Sequence, residues 1–351
     1  MLTTGQIPTP ALLLDLDAFH ANLQQMAAHA KTFGKALRPH AKAHKCVQIS
    51  KLQLAAGSSG ICVATVSEAE LMANAGIADL LLTSPIADPY NMARIVKTGA
   101  MVVVDHVQQV DWYNEAAHNA NRTLDVLIDL DGGDHRTGAR PDGQALAVAE
   151  AVDRATHLNL RGTQAYSVLG SHANTREERR LVSEKGFELA AGTRGSMSRK
   201  GLCTDILTGG STGTWDIDTG ILAVTELQAG SYALMDLAYR RLEVRFRRAL
   251  TVLTTVISAN HDAFVTVDGG FKAFSTDRPF GPEAIDQPGS TYRWGGDEFG
   301  YFEGFSTKPR LGDRIEFLHP HCDPTVNLYD RIYACRGENV EDVWPVMDRM
   351  R

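Results

Sequence analysis

Short apolar runs with strand character alternate with longer stretches of helical spacing, and this pattern repeats from residue 11 to about residue 240. Such alternation builds βα units, and stacked βα units make a parallel sheet. Residues 11–17 and 36–43 read as strands, and between them residues 18–32 carry Phe19, Leu23, Met26, Ala27 and Ala30 at helical intervals. Residues 60–65 and 79–84 are further strands, with a helix over 66–75. Residues 101–105 and 124–130 are apolar enough to be buried on both faces. Residues 159–166, 205–208 and 226–228 complete about eight units, enough to close a barrel.

Beyond residue 240 helical periodicity is nearly absent. Residues 240–255, 264–267, 292–293 and 314–317 are strand-like, with Gly/Pro turns between them. The expected architecture is α/β: a (β/α)8 TIM-type barrel over residues 20–240, plus an antiparallel β domain from 1–19 and 241–351, with the strand near Ala11 joining the latter. A chain of 351 residues suits a barrel with a smaller domain.

The formal net charge of −7 argues against a nucleic-acid partner, which needs basic patches. No apolar run reaches the roughly 18–20 residues of a membrane span; residues 249–259 are short and contain threonine. The opening Met-Leu-Thr-Thr-Gly-Gln lacks the basic and apolar regions of a secretory signal. Five scattered cysteines without a Cys-x-x-Cys pair read as reduced thiols in a cytoplasmic protein. A homodimer is expected.

In a barrel, the C-terminal ends of the strands face the active site. The first barrel strand ends in Arg38-Pro-His-Ala-Lys-Ala-His-Lys45. An arbitrary lysine is more often a surface charge, but strand alternation puts His40, Lys42 and His44 on one face. A lysine there, partly desolvated, suits Schiff-base chemistry. Lys42 fits if the strand continues to it; Lys45 lies beyond. Gly209-Gly-Ser-Thr-Gly213, with Ser211 at its centre, reads as an ordinary turn or as a loop whose N–H groups approach a phosphate. Its place after the seventh strand, and Gly230-Ser231 after the eighth, favour phosphate. In His319-Pro-His-Cys-Asp323, extended chain projects His321 and Asp323 the same way and Cys322 the other. That pair suits a divalent metal with open water positions, or a hydrogen-bonded pair without metal.

These segments resemble the D-threonine aldolase and D-serine dehydratase family, pyridoxal 5′-phosphate (PLP) enzymes of the alanine-racemase-like fold, fold type III. Residues 38–46 look like that family's cofactor-lysine segment, with Lys42 carrying PLP. The Thr9-Pro-Ala-Leu-Leu-Leu-Asp-Leu-Asp17 opening, residues 129–138, the Gly-Gly-Ser-Thr-Gly-Thr loop and Ala229-Gly-Ser-Tyr232 also resemble family landmarks. The match runs from about residue 8 to about residue 335. The resemblance implies that Arg136 and Tyr166 lie around the PLP ring or substrate, and that Thr212, Gly213, Gly230 and Ser231, with Ser211, hold the phosphate. The dehydratase branch resembles His-x-Cys, a soft pair suited to zinc; His321 and Asp323 are harder, suit Mn²⁺ or Mg²⁺, and resemble the aldolase branch.

The implied reaction is retro-aldol cleavage of a D-β-hydroxy-α-amino acid, giving glycine and acetaldehyde from D-threonine. The substrate displaces Lys42, the metal acidifies the β-hydroxyl, and PLP accepts the electrons. His172, which reads equally as a solvated loop histidine, or water on the metal takes the hydroxyl proton. A D-serine or 3-hydroxy-D-aspartate dehydratase or aldolase is the nearest alternative. A racemase needs no metal, and a non-catalytic PLP-binding barrel protein would resemble only the barrel.

Overall fold

The computed structural model describes residues 2–141 and 143–347. In chain order the elements are β1 (Ala11–Asp15), α1 (Leu16–Thr32), β2 (Ala36–Leu37), α2 (Val47–Ala55), β3 (Ile61–Val63), α3 (Val66–Asn74), β4 (Leu80–Leu82), α4 (Pro89–Thr98), β5 (Met101–Val104) and α5 (Val107–Asn119). Next come β6 (Leu124–Asp131), α6 (Gly143–Arg154), β7 (Leu158–Tyr166), α7 (Val168–His172), α8 (Arg176–Arg199), β8 (Ile206–Gly209), α9 (Trp215–Asp218) and β9 (Glu226–Leu227). The remainder is α10 (Leu237–Arg241), β10 (Leu250–Ser258), β11 (Phe264–Val267), β12 (Glu283–Ala284), β13 (Thr291–Trp294), β14 (Gly300–Glu303), β15 (Arg314–Leu318), α11 (Cys322–Val326), β16 (Arg331–Arg336) and β17 (Asn339–Pro345).

Among the described residues the chain divides into two compact units: one within 1–25, 43–48 and 231–349, the other within 26–42 and 49–230. The second unit holds eight parallel strands in the order β2-β9-β8-β7-β6-β5-β4-β3. The ends of that order meet through a parallel bridge between His40 and Cys62, where Cys62 N donates to Pro39 O at 2.8 Å. The expected (β/α)8 barrel is therefore present. Its interior is filled by Cys62, Leu81, Val103 and Leu127, all fully buried; each large aliphatic side chain so buried contributes roughly 1.5–3 kcal/mol. Helix starts carry side-chain caps: Thr65 accepts from Glu68 N, and Thr175 forms a reciprocal box with Glu178.

The first unit is a sheet in the order β13-β14-β11-β10-β1-β16-β17, with β15 on β10 and β12 on β15. The N-terminal strand joins it as expected: β1 pairs antiparallel with β10 (Leu12↔Val252). It pairs parallel with β16 (Leu12↔Ile332), so the sheet is mixed rather than wholly antiparallel.

Two local expectations fail for identifiable reasons. The strand expected over 36–43 is regular only over Ala36–Leu37: ladder bonds to β9 run on through Arg38 N and His40 N, and residues 41–43 then coil into a 3-10 turn. The strand expected from residue 240 begins only at Leu250. The fully buried Asp236 caps α10 by accepting from Tyr239 N at 2.9 Å, and Glu243 sits in a left-handed conformation (φ 60°) that ends the helix.

Among the described residues no helix is long and apolar enough to cross a membrane, and none of the five cysteines is disulfide-bonded.

Candidate active site

The barrel unit places Lys42 and the Gly209–Thr214 loop after the C-terminal ends of its strands, whereas the Arg38 side chain reaches the N-terminal ends of β4 and β9, at Asp79 and Glu226. Arg38, at the end of β2, is buried, and its Nε donates to both carboxylate oxygens of Glu226 on β9 at 3.0 Å. Its Nη1 donates to Asp79 Oδ1 at 2.6 Å. Burial works against the guanidinium charge, but Glu226 and Asp79 more than offset it and hold Arg38 protonated. Gly60 makes room for this arrangement: a Cβ there would stand 2.1 Å from Arg38 Nη1. His40 follows. Its Nδ1 accepts from Lys42 N at 3.3 Å, and its Nε2 lies 3.0 Å from Thr83 Oγ1, which itself donates to Val63 O. That pattern selects the neutral Nε2–H tautomer.

Lys42 stands on the 3-10 turn after His40, between buried Ala41 and Ala43. A turn does not alternate faces, so the expected common face of His40, Lys42 and His44 is not formed. His44 is buried and accepts from Cys46 N at 3.1 Å. Lys42 is also exposed rather than partly desolvated, so its amine is accessible to a carbonyl compound. Lys45 lies past the turn at φ 47°.

A hydrogen-bonded chain crosses the strand ends behind this turn. Gln164 Nε2 donates to Thr83 O at 2.9 Å and to Asp129 Oδ1 at 2.8 Å, while Gln228 Nε2 donates to Gln164 Oε1 and Thr208 Oγ1. Burial, helped by the Asp105 charge, pushes Asp129 up to about 7, against the pull of the bonds from Gln164 and Thr137.

Arg136 sits in the loop after β6, with its guanidinium 5.1 Å from the centre of the Tyr166 ring, a cation–π distance. Asp131 shapes that loop by accepting from the N–H groups of Gly133 and His135. Asp134 ties it to α7, accepting from Ser167 Oγ at 2.7 Å and from Val168 N. His172 is the last residue of α7. After β8 the Gly209–Thr214 loop is wholly buried. Ser211 Oγ accepts from Gly213 N at 3.2 Å, and Gly210 adopts φ 76°. A loop of glycines and hydroxyls around a left-handed residue has the donor chemistry of a phosphate cradle. Gly230 follows β9.

In the sheet unit, the extended His321 occupies the N-cap position of α11 without a side-chain cap bond, and Asp323 lies in that helix's first turn, not in an extended segment as expected. His321 Nδ1 lies 2.7 Å from Asp277 Oδ2, a second carboxylate that orients the ring. Asp323 Oδ1 accepts from Ser231 Oγ at 3.4 Å and from Cys322 Sγ at 3.1 Å. Cys322 is fully buried, and burial, with the Asp323 and Asp236 charges, pushes its thiol well above the usual range. His319 is fully buried with no hydrogen-bond partner on either ring nitrogen among the described residues, and burial, helped by His321, pushes it down to about 3. An imidazole oriented by a carboxylate, beside Asp323, is a donor set that fits a hard divalent ion. Among the described residues no group of three or more His, Cys, Asp or Glu side chains could hold one, so such an ion would take its other ligands from water or substrate.

Asp277, Glu226, Gln164 and Gln228 are absent from the sequence-level candidates. Each lies tens of residues or more from its partner and in no periodic pattern, so nothing local marks it.

Residues 14–213 match the family described as alanine racemase, N-terminal domain, and residues 249–335 match a putative serine dehydratase domain. The chain is 38% identical to a D-threonine aldolase of Arthrobacter sp, over 98% of this chain and 93% of that protein. It is 33% identical to a 3-hydroxy-D-aspartate aldolase of Paracoccus denitrificans over the same shares. The solved D-threonine aldolase from Filomicrobium marinum superposes with a TM-score of 0.95 at 34% identity, covering 98% of this chain and 96% of that one. With its barrel, its mixed sheet and its near full-length likeness, the chain belongs to the D-threonine aldolase family of lyases with the alanine-racemase-like fold.

Proposed function

We propose that this chain cleaves D-β-hydroxy-α-amino acids such as D-threonine to glycine and an aldehyde, with PLP and a divalent ion, Mn²⁺ or Mg²⁺, as cofactors. The observation that carries the reading is coverage: likeness to aldolases spans 98% of the chain and so includes Lys42 on the barrel and His321-Cys-Asp323 in the sheet unit alike. PLP, when bound, supplies an electron sink next to Cα, and the ion supplies Lewis acidity at the β-hydroxyl.

The chain's own residues do the rest. Lys42 provides the amine that attaches the cofactor, and the N–H groups and hydroxyls of Ser211, Thr212 and Gly213, with Gly230 and Ser231, take its phosphate. Arg136 and Tyr166, held against each other, flank the ring. His321 Nε2 and Asp323 hold the ion, with Asp277 fixing the His321 ring. His172 takes the β-hydroxyl proton, the Cα–Cβ pair stays with Cα, and Cα then takes a proton to leave glycine. A homodimer in the cytoplasm belongs to the same reading.

A second substrate class has a specific observation in its favour. Arg278 Nε stands 3.5 Å from Asp277 Oδ2, the carboxylate oxygen that also meets His321 Nδ1. It is the cation that the extra carboxylate of a 3-hydroxy-D-aspartate would need.

The test is to incubate purified protein with PLP, Mn²⁺ and a panel of D- and L-β-hydroxy amino acids, measuring aldehyde, keto acid and racemised product separately. Aldehyde from D-isomers alone is expected, with EDTA abolishing it while PLP absorbance persists. Keto acid as the main product, or equal rates on L-threonine, would refute the assignment.

A further inference from the structure

Asp218, in α9, carries no exposed surface. Its carboxylate accepts hydrogen bonds from Ser183 Oγ on α8 and from Thr214 Oγ1 at the end of the Gly209–Thr214 loop. Thr214 Oγ1 in turn lies 3.0 Å from Ser211 Oγ and accepts from Ser211 N at 3.3 Å, and Ser211 Oγ accepts from Gly213 N at 3.2 Å. One carboxylate therefore anchors a relay through three residues of the loop. The loop backbone also packs on it directly: a Cβ on Gly210 would stand 2.4 Å from Asp218 Oδ2.

We propose that Asp218 is the positioning residue of the phosphate loop and that its proton couples cofactor affinity to pH: its carboxyl braces the loop through Thr214, and when ionised its charge opposes the cofactor's phosphate. The proposal rests on the reading that this loop takes the phosphate of PLP. Two negative groups served by one short relay disfavour each other's charge. Burial already pushes the Asp218 carboxyl up to about 7, the Asp216 charge adds to this, and the bonds from Ser183, Thr214 and the Ser211 backbone pull against it.

The charged groups on the elements packed against it have bonds of their own. Asp216 on the same helix pairs with Arg176 at 2.9 Å, Arg179 on α8 donates to Ala173 O, and His29 meets Thr219 Oγ1 at 2.8 Å. The hydrogen-bond partners of Asp218, though not Asp218 itself, reach a cavity. Ser183, Ser211 and Thr214 line a cavity of about 20 Å³ with Tyr166 and Gly210, room for about one water.

The sign follows directly. Binding a phosphate dianion raises the Asp218 pKa further, so binding takes up a proton and affinity falls as pH rises through about 7. The experiment titrates the full chain, stripped of cofactor, with PLP and separately with pyridoxal, which lacks the phosphate, at pH values on either side of neutrality. The Kd is read from protein fluorescence and folding from thermal melts.

Asp218→Asn keeps the shape and removes the charge. The ratio of wild-type to Asp218→Asn Kd for PLP is expected to climb by up to roughly tenfold per pH unit above neutrality, and to stay flat for pyridoxal. Ser183→Ala removes a bond that favours the ionised form, so the midpoint of the wild-type pH dependence should move up. Parallel pH curves for wild type and Asp218→Asn, or an unmoved midpoint in Ser183→Ala, overturn the role of Asp218. Equal affinity for PLP and pyridoxal in the wild type at every pH is a different result: it refutes the phosphate assignment of the loop itself.

Discussion

In the barrel unit, Thr83, Asp129, Gln164, Thr208 and Gln228 form one hydrogen-bonded chain across the ends of five strands, and Arg38 grips both Glu226 and Asp79. In the sheet unit, the His321 ring answers to Asp277 at 2.7 Å, and Asp323 sits in the first turn of a five-residue helix. The first arrangement spreads its geometry over many buried partners; the second concentrates it in one or two. Redundancy of that kind makes a scaffold tolerant of losing one bond and intolerant of losing a charge partner. A site with one orienting carboxylate should instead lose function in proportion to that carboxylate, with the fold intact.

The sharpest way to break the comparison is at Lys42. Lys42→Ala should reduce cleavage by at least roughly 10³-fold, the scale seen when a covalent group is removed. Borohydride should fix PLP to Lys42 in the wild type and nowhere in the variant, as read by peptide mapping. An adduct on Lys45 would move the cofactor to the other side of the 3-10 turn.

Next is Arg38. Both Arg38 and Glu226 side chains are below a tenth exposed, and removing one partner strands the other's charge. Arg38→Ala should cost about 3–5 kcal/mol of stability, measured by denaturant unfolding. A loss near zero would mean that water enters the site and the barrel half is not the tightly tied one.

Asp277→Ala should leave the melting temperature and PLP binding nearly unchanged but weaken Mn²⁺ binding by about 10–100-fold, read by calorimetry. If Mn²⁺ affinity holds, Asp277 does not orient the ligand ring and the contrast between the units dissolves.

The smallest effect is a pH slope. Asp129 rises from an ordinary carboxylate value to about 7 in the fold, mainly through burial. Between the two values the folded chain binds more protons than the unfolded one, so this group's contribution to stability falls as pH rises from about 4 to about 7 and is level outside that window. Asp129→Asn should remove that segment of the stability–pH curve. A slope that persists in the variant would assign it to another carboxyl.

Much of this was legible in the chain itself. The exchange of strand-like and helix-like runs predicts the eight barrel strands and their parallel order, because burial on both faces demands long apolar runs such as Met-Val-Val-Val at β5. The change of character after residue 240 marks the second sheet. The lysine segment, the Gly-Gly-Ser-Thr-Gly loop and His-Cys-Asp are contiguous, so resemblance alone locates them. Tertiary structure decided the rest. Lys42 stands on a 3-10 turn that begins where the ladder bonds end, after His40. The Ser231 hydroxyl meets Asp323, 92 positions on, and the His321 ring answers to Asp277, 44 positions back. Asp218 anchors the loop through Ser183, 35 positions earlier. Such pairings have no sequence signature: a carboxylate reads the same on a solvated loop as in a core, and only packing, which removes water from around it, sets its partner and its proton.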